Sequence, residues 1–267
     1  RTVSMHIVVI SGRSGSGKST GLHLLEDEGY YCIDNLPVSL LPDLVTALSE
    51  IELQGHAGVA VCIDARNSQS ELNRFKALLE QTRQRAKVTV VFLDADDAIL
   101  QKRFSETKRR HPLSGDRLSL KEALIHERER LEPIYHRANL SLDTSALNLY
   151  QLRDALRERL IGKTSQSFSL LVESFGFKHG VPLDADYIFD LRMLPNPHWE
   201  DALRKLTGKD PGVQQFLENS DDYREMYSDI YSFLIKWLPK IAESNRSYVT
   251  IAIGCTGGQH RSVYIAE

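Results

Sequence analysis

Eight consecutive residues near the N-terminus, GRSGSGKS, combine the residue types that hold a phosphate chain. They match the P-loop pattern G-x-x-x-x-G-K-[ST], in which a glycine-rich turn joins a strand to a helix. The loop consists of Gly12, Arg13, Ser14, Gly15, Ser16, Gly17, Lys18 and Ser19. We expect its N–H groups from Ser14 to Lys18 to wrap the β-phosphate, and the Lys18 ammonium to neutralise the β- and γ-phosphates. The Ser19 hydroxyl would ligate Mg²⁺, so the pattern predicts nucleotide binding with magnesium.

Magnesium in such a site also needs an acidic residue at the end of a neighbouring strand. Asp64 and Asp94 both follow buried apolar runs. We favour Asp64, because Arg66 and Asn67 come directly after it and suit phosphate or base contacts. The alternative is that these aspartates are N-caps of the following helices, and we favour that alternative for Asp94 and Asp96.

A cluster of cations precedes Pro112, namely Lys102, Arg103, Lys108, Arg109, Arg110 and His111. In small-molecule kinases a basic helical hairpin closes over the triphosphate and stabilises the transferred phosphoryl group. A solvated helix face is the equally weighted alternative. No residue is assigned as a catalytic base for a phosphoryl acceptor, so phosphoryl transfer has no support from the sequence.

A second glycine-rich turn, GCTGGQHRS, follows an apolar run near the C-terminus. Its Arg261 is placed to grip a phosphate bidentately, and a pocket for phosphate or a phosphosugar is the favoured interpretation. The spacing from Cys255 to Arg261 is also that of cysteine phosphatases, but Gly254 stands where those enzymes carry histidine and no partner acid is evident. An ordinary turn under a core cysteine is the third alternative.

Two stretches of this half, residues 173–180 and 192–199, interleave aromatic side chains with cations. Such surfaces stack on bases or sugar rings while their cations hold phosphates. His179, His198 and His260 lie in Gly/Pro-rich loops. A role in a binding site and a role as an ordinary core or surface histidine are therefore equally weighted alternatives.

Alternating strand and helix patterns position these groups. Apolar, β-branched runs at 6–10, 30–33, 59–63, 88–93 and 140–142 predict parallel strands. Helical patterns lie between them, at 19–28, 42–50, 70–85, 98–110, 120–137 (broken by Pro133) and 147–160. The prediction is an N-terminal α/β domain of the P-loop NTPase, kinase-like class over residues 1–163, with its ligands at the carboxyl ends of the strands.

Small polar residues at 162–167 indicate a domain boundary. Strands at 169–174, 187–190 and 248–253, with helices near 211–219 and 222–242, predict a smaller α/β domain over residues 168–267.

Composition restricts the function class further. Thirty-three Lys and Arg against 36 Asp and Glu give a net charge of −3, so any nucleic-acid site must be local. Three distant cysteines argue against a disulfide framework or zinc site. No apolar stretch is long enough to span a bilayer, and we expect no membrane partner and a cytoplasmic location.

Seven motifs in order along the whole chain closely resemble the RapZ (YvcJ-like) RNase adapter family of bacteria. They are GRSGSGKS, YYCIDNLP, the DARN run, RRHPL, ESFGFKHG, LPNPHW and IGCTGGQHRS. The resemblance implies ATP binding by the P-loop and GTP binding by the DARN run, which is Asp64, Ala65, Arg66 and Asn67. It also implies a homotetramer whose C-terminal domain binds small regulatory RNA, presents it to RNase E and senses glucosamine-6-phosphate.

The residues matching the family's sugar-phosphate pocket are His179, His198, Cys255, Thr256, Gly257, Gly258 and Arg261. Family members continue past YIAE with a basic tail, so we expect native sequence beyond Glu267 and weaker RNA binding without it. The alternative from a different class is a small-molecule kinase or NTPase.

Overall fold

The computed structural model describes residues 5–50, 56–114, 118–161, 169–243 and 248–267. The chain divides into two compact units, Arg1–Thr164 and Ser165–Glu267. Each unit has its own parallel sheet. The predicted boundary segment, residues 162–167, lies outside the described residues.

The sheet of the first unit has five strands in the order β2-β3-β1-β4-β5, all parallel. The strands are β1 His6–Gly12, β2 Tyr30–Ile33, β3 Gly58–Cys62, β4 Lys87–Asp94 and β5 Leu140–Asp143. All of β3 and nearly all of β1 are buried, as expected where helices cover both faces of a sheet. The turns after β1, β3 and β4 therefore meet at one edge, because parallel strands end on the same side.

Seven α-helices connect these strands within the described part of the first unit. They are α1 Lys18–Asp27, α2 Leu41–Glu50, α3 Gln69–Asn73, α4 Phe75–Arg83, α5 Asp97–Thr107, α6 Leu120–Tyr135 and α7 Leu149–Leu156. A 3-10 turn, Val38–Leu40, precedes α2, and a π-helical turn, Arg157–Ile161, follows α7. Capping boxes at Ser68, Ser119 and Asn148 set the starts of α3, α6 and α7.

Three predicted helices were wrong in detail. The helix expected over 70–85 is divided at Arg74, which ends α3 and starts α4. The helix expected to reach residue 110 ends at Thr107, because Lys108 adopts a left-handed φ of 50°. The predicted break at Pro133 is absent: α6 continues through it to Tyr135, where one lost backbone hydrogen bond is offset by burial of Leu131 and Ile134.

The second unit has a three-stranded parallel sheet in the order β6-β8-β7. Its strands are β6 Ser169–Gly176, β7 Tyr187–Asp190 and β8 Tyr248–Cys255. Its helices are α8 Pro211–Glu218, α9 Asp221–Glu243 and the six-residue α10 Arg261–Ala266, with 3-10 turns Phe177–His179 and Pro197–Trp199.

The predicted fold class is confirmed: a parallel α/β unit is followed by a smaller α/β unit. The eight predicted strands match the observed ones to within two residues at each end. Across the described ranges, no helix has both the length and the apolar character that crossing a membrane requires.

Candidate functional site

The loop between β1 and α1 is shaped by glycines. Gly12, Gly15 and Gly17 have φ values of 141°, 87° and 106°, which side-chain-bearing residues rarely adopt. A Cβ on Gly12 would lie 2.0 Å from the carbonyl oxygen of Leu93 on the adjacent strand β4. The loop therefore lies directly against the sheet edge.

Lys18 curls back over this loop. Its Nζ donates to the carbonyl oxygens of Gly12 at 2.8 Å and Arg13 at 3.1 Å, while Ser19 is exposed on the first turn of α1. The hydroxyls of Ser11 and Ser16 are buried and have no hydrogen-bond partner in the described chain. A buried polar group without a partner is completed by a ligand, an ion or a water molecule. Together with Lys18 and the glycine-rich turn, these residues fit a phosphate chain whose Mg²⁺ Ser19 would hold.

Arg13 does not turn toward that phosphate position. Its Nε donates to Asp94 at 2.7 Å, its NH1 to Asp97 at 2.5 Å and its NH2 to the carbonyl of Ala95 at 2.6 Å, and the residue is fully buried. The N-cap role predicted for Asp94 or Asp96 is confirmed in position for Asp96 and is wrong for Asp94. Asp94 is paired with Arg13, and Asp96 stands at the N-cap of α5 without a side-chain capping bond.

Asp64 follows β3, the strand that neighbours β1. Arg66 clasps its carboxylate, donating from its backbone N–H at 2.9 Å and from NH2 at 2.6 Å. Burial raises the pKa of Asp64, but the Arg66 hydrogen bonds and the charge of Lys18 outweigh it and hold that pKa below its usual range. Asp64 is thus an ionised carboxylate near the phosphate loop.

Of the remaining side chains of the DARN run, two are buried and therefore poorly placed to contact a ligand. Ala65 is buried, and Asn67 is 6% exposed with its amide bonded to Val38 N–H and to the carbonyls of Leu36 and Asp64. The predicted phosphate or base contact by the Asn67 side chain is therefore wrong, because that amide holds the turn together. Only the Arg66 side chain is substantially exposed, at 46%.

The predicted basic cluster separates into inward and outward members. Arg103 donates to the carbonyl of Gly15 at 2.9 Å and to the hydroxyl of Thr144 at 3.0 Å. It therefore links the phosphate loop to the turn after β5. Burial lowers the pKa of Arg103. Lys102, Lys108, Arg109 and Arg110 lie on the surface. Neither alternative describes the whole cluster, because Arg103 contacts the phosphate loop while these four residues are exposed.

The ring of His111 contacts Glu127 on α6, a residue that the sequence did not single out. Glu127 is fully buried and accepts from the N–H of Ser14 at 2.9 Å, the hydroxyl of Ser14 at 2.7 Å and Nε2 of His111 at 2.8 Å. Burial raises the pKa of Glu127, but these hydrogen bonds and the charge of Lys18 outweigh it and lower that pKa. The prediction that the Ser14 N–H wraps a phosphate is not met, because Glu127 already accepts from it.

A sequence signal for Glu127 existed. The buried residues of α6 recur at helical spacing and are Ala123, Leu124, Glu127, Leu131 and Ile134. A carboxylate therefore lies in the middle of an apolar stripe, where an ionised group requires partners.

The second loop closes over the end of β8. The Sγ of Cys255 lies 3.1 Å from the hydroxyl of Ser262, and backbone N–H groups of Gly258, Gln259 and Ser262 also face it. Burial raises the pKa of this thiol, but the hydrogen bonds outweigh burial and lower the pKa. Cys255 is only 3% exposed, so its thiol is enclosed by its own loop.

Arg261 anchors this loop, and its predicted bidentate orientation toward a phosphate is wrong for this conformation. Its NH1 donates to the carbonyls of Arg192 at 3.0 Å and Leu194 at 2.9 Å, and NH2 donates to the Thr256 hydroxyl at 3.3 Å. The buried Nε has no hydrogen-bond partner among the described residues. These contacts tie the loop to the turn after β7, which carries backbone carbonyls that need donors.

The predicted histidines differ in surroundings. His179 and His198 are exposed, and the rings of His198 and His260 are 6.5 Å apart. His260 is buried, its Nε2 lies 3.2 Å from the carbonyl of Leu203, and burial lowers its pKa. His260 is thus a core histidine with a satisfied ring, while Thr256, His179 and His198 remain accessible. Gly257 and Gly258 pack on Gly176 at the end of β6.

An acid beside this loop was also missed. Asp190 ends β7 in register with Gly254, and Arg192 clasps it at 2.7 Å. Hydrogen bonds from Arg192 lower the pKa of Asp190, so it is a poor proton donor. The guanidinium of Arg192 lies 3.8 Å from the centre of the Phe177 ring. Within the described ranges no group of three or more His, Cys, Asp or Glu residues is placed to hold a metal ion by itself.

A parallel sheet with a P-loop between β1 and α1, and an acidic residue after the adjacent strand, defines the class of P-loop α/β proteins. The chain belongs to the RapZ family. The RapZ-like N-terminal domain matches residues 5–164 and the RapZ C-terminal domain matches residues 168–267.

Similar proteins were found by sequence and by structure. A protein of Stutzerimonas stutzeri (strain A1501) named "Nucleotide-binding protein" is 56% identical over 98% of this chain and 93% of its own length. One of the same name from Marinobacter nauticus is 51% identical over 98% of this chain and 90% of its own length. Shikimate kinase from Bacteroides thetaiotaomicron aligns with 60% of this chain and 100% of its own at a TM-score of 0.42 and 15% identity.

Proposed function

We propose that this chain is a cytoplasmic RNase adapter. It binds ATP and GTP with Mg²⁺ in its N-terminal unit, and small regulatory RNA in its C-terminal unit. It presents that RNA to RNase E and senses glucosamine-6-phosphate, and thereby controls amino-sugar synthesis. The P-loop unit serves control or assembly more than turnover, and it is at most a weak ATPase or GTPase.

The observation that carries this proposal is the phosphate loop with its surroundings. Lys18 and Ser19 lie at the start of α1, Asp64 follows the adjacent strand, and the loop glycines have the positive φ values that a phosphate-binding turn requires. Relatives more than half identical carry the name "Nucleotide-binding protein". Membership of the RapZ family supports the adapter role.

Nucleotide binding is tested by calorimetry with ATP and GTP in Mg²⁺. We expect Lys18→Ala to weaken binding by about 1.5–3 kcal/mol, the contribution of hydrogen bonds to a charged group. Lys102→Ala is the matched control, because Lys102 is exposed and its one ion pair among the described residues is with Glu106 on its own helix. Equal affinity of the wild type and Lys18→Ala would remove the nucleotide site from this loop.

RNA binding is supported by exposed aromatic and cationic side chains in the second unit. Trp199 is 76% exposed beside His198, and Lys178 and Arg192 are also exposed. In a gel-shift assay we expect Trp199→Ala to weaken binding by about 1–3 kcal/mol, as for the loss of one stacked base. Tyr150→Ala is the control, because Tyr150 is 80% exposed in the other unit. Equal loss in both variants would argue against a C-terminal RNA surface.

Glucosamine-6-phosphate binding is proposed for the loop around Cys255, where the accessible groups are Thr256, His179 and His198. Arg261→Ala should weaken the sugar phosphate by about 1.5–3 kcal/mol. We expect this loss because the loop would be displaced, since Arg261 holds it by hydrogen bonds to backbone carbonyls after β7. Arg224→Ala, which removes an exposed guanidinium that pairs with Asp221 on α9, is the control. Unchanged affinity in Arg261→Ala would count against the site.

Assembly into a homotetramer is supported by an exposed apolar stripe on α9. Tyr227, Tyr231 and Ile235 recur every four residues and are 50%, 56% and 59% exposed. Asp221, Asp222 and Glu225 precede the stripe, and Lys236 and Lys240 follow it. Two antiparallel copies of α9 would therefore pair opposite charges. Tyr231→Glu should reduce the mass seen by sedimentation, whereas Tyr150→Glu should not.

The second candidate is a small-molecule kinase, and one observation favours it. The carboxylate of Asp34, which follows β2 at the same sheet edge as the phosphate loop, is 67% exposed and lies 4.0 Å from Arg66, so it is the candidate base for an acceptor hydroxyl. Phosphate transfer from Mg·ATP to an amino sugar at many turnovers per minute would favour the kinase. Negligible turnover with a clear RNA shift would favour the adapter.

A further inference from the structure

We propose that Glu127 is a specificity-determining residue of the phosphate loop: a resident anion that makes the loop prefer a nucleoside diphosphate to a triphosphate. The inference rests on the proposed nucleotide binding and goes beyond it by naming the phosphate state that the loop selects. It starts from a carboxylate with no role in the P-loop pattern, which is fully buried and hydrogen-bonded to Ser14.

The hydrogen bonds establish the charge of this group. The N–H of Leu113 donates to Nδ1 of His111 at 3.1 Å, so that ring nitrogen is an acceptor. The proton of the neutral ring is therefore on Nε2, which donates to Glu127 at 2.8 Å. Ser14 supplies two further donors to the same carboxylate. A carboxylate that faces three donors is an anion, and it is unsuited to act as a base.

The position of the anion relative to the phosphates follows from Lys18. The lysine of a P-loop reaches the β- and γ-phosphates, and here its ammonium lies on the carbonyls of Gly12 and Arg13, the two residues before Ser14. Glu127 thus binds the beginning of the loop, on the side where the last phosphates extend. The first turn of α1, around Ser19, lies at the other end of the loop.

Two anions at one end of the loop compete for the same donors. A γ-phosphate would share with Glu127 the N–H of Ser14 and the charge of Lys18, in surroundings where Glu127 has no contact with water. A diphosphate held by the later loop residues avoids most of this repulsion, since the interaction decays with distance. The expected result is tighter binding of diphosphates than of triphosphates.

Glu127→Gln removes the charge and retains the geometry. One Glu127 oxygen accepts from both Ser14 N–H and His111, and the other accepts only from the Ser14 hydroxyl. A glutamine oxygen replaces the first, and its NH₂ group donates to the hydroxyl, which can reverse its role. Glu129→Gln is the matched control, because Glu129 lies on the same helix with its side chain 68% exposed.

The experiment measures dissociation constants of the full chain for ADP and for the β,γ-imido analogue of ATP in Mg²⁺, with the guanine pair in parallel. We expect wild type to bind the diphosphate more tightly, and Glu127→Gln to shift the ratio of the two constants by about tenfold toward the triphosphate. Glu129→Gln and the charge-retaining Glu127→Asp should keep the wild-type ratio.

Several results would overturn the inference. An unchanged ratio in Glu127→Gln would do so, as would equal weakening of both nucleotides, which indicates a purely structural role. If Glu127→Gln does not fold, wild type and Glu127→Asp decide, because a triphosphate preference in either contradicts a resident anion. Failure of the wild type to bind any of the four nucleotides is a different outcome, which removes the proposed nucleotide site and this inference together.

Discussion

The phosphate loop after β1 and the glycine-rich loop after β8 both direct backbone N–H groups at a group of the protein itself. In the first loop this group is the carboxylate of Glu127, which lies 113 residues away along the chain from Ser14. In the second loop it is the thiol of Cys255, which belongs to the loop. The donors to the enclosed group are therefore local in the second loop, whereas in the first loop the enclosed group is supplied by α6.

The two units also share an Asp-x-Arg clasp after a strand. In both clasps the arginine donates its backbone N–H at 2.9 Å and its Nε at 3.0 Å to one carboxylate oxygen. The side chain of Asp64 is 8% exposed and that of Asp190 is 38% exposed. Local sequence thus produces the same geometry twice, and the surroundings decide how much each clasp contributes to stability.

The largest expected effect tests whether both loops depend on close backbone contact with a neighbouring strand. Gly12→Ala places a Cβ 2.0 Å from the Leu93 carbonyl, and Gly258→Ala places one 2.6 Å from the Gly176 nitrogen. We expect each to lower the free energy of unfolding by on the order of 4 kcal/mol. Gly29→Ala is the control, because Gly29 has a similar positive φ with nothing within 4 Å of its Cβ, and it should cost about 1–2 kcal/mol.

The two units can be followed separately in this experiment. Both tryptophans, Trp199 and Trp237, lie in the second unit. Gly258→Ala should shift urea unfolding followed by tryptophan fluorescence, and Gly12→Ala should shift the part of the circular-dichroism transition that fluorescence does not report. A loss for Gly12→Ala no greater than that for Gly29→Ala would show that the β1–β4 contact is easily relaxed.

The next largest expected effect is a loss of stability of the first unit in acid. Burial, with the charge of Lys87, lowers the pKa of His6 from 6.5 to about 4. Between these pH values the unfolded chain binds a proton that the folded chain does not, so the free energy of unfolding is complete above pH 6.5 and falls toward pH 4. We expect a loss of about 2–3 kcal/mol in the first unit, absent in His6→Gln. The same pH slope in His6→Gln would attribute the loss to other groups.

A smaller difference in stability is expected between variants of the two Asp-x-Arg clasps. Asp64→Asn removes the charge from a nearly buried carboxylate and should cost about 1–2 kcal/mol of unfolding free energy. Asp190→Asn changes a clasp with an exposed arginine, and its effect should lie within the error of the measurement. Chemical denaturation of both variants gives the comparison. Equal losses would mean that burial does not distinguish the two clasps.

The smallest change concerns the closed second loop. Ser262→Ala removes the hydroxyl hydrogen bond to Cys255 and should move the pKa of that thiol upward. Burial holds the pKa of Cys32 at about 11 and that of Cys62 at about 12, so thiolate absorbance that appears below pH 9 reports Cys255. Identical titration curves for the wild type and Ser262→Ala would show that the loop N–H groups alone stabilise the thiolate.

Sequence patterns predicted the strands well and the helices less well. Buried parallel strands are continuous apolar runs with sharp ends, so β2 and β7 were predicted to the residue. The division of a helix at Arg74 has no proline or glycine to signal it. The course of α6 through Pro133 depends on burial of neighbouring side chains, which a proline rule does not consider.

For the candidate site, sequence was informative about backbone and poor about side-chain orientation. The glycine-rich turn after β1 was predicted, and its glycines have positive φ angles that sterics deny to most other residues. Arg261 and Asn67 were expected to face a ligand, and each instead bonds carbonyls of a neighbouring turn. The Arg13 side chain, a member of the phosphate loop, likewise bonds carboxylates at the end of β4 and the start of α5. Long polar side chains choose their partners after the strands are assembled, so spacing along the chain does not specify them.

By itself the sequence determined the α/β class, the order of strands along the chain, the two glycine-rich loops and the family. These features depend on short-range periodicity and on steric limits of single residues. Only the tertiary structure decided that Glu127 and His111 meet at Ser14, and that the Cys255 thiol lies inside its loop. An ionised carboxylate tolerates burial only when several donors converge on it. Here the two Ser14 donors are 113 residues and the single His111 donor is 16 residues distant along the chain.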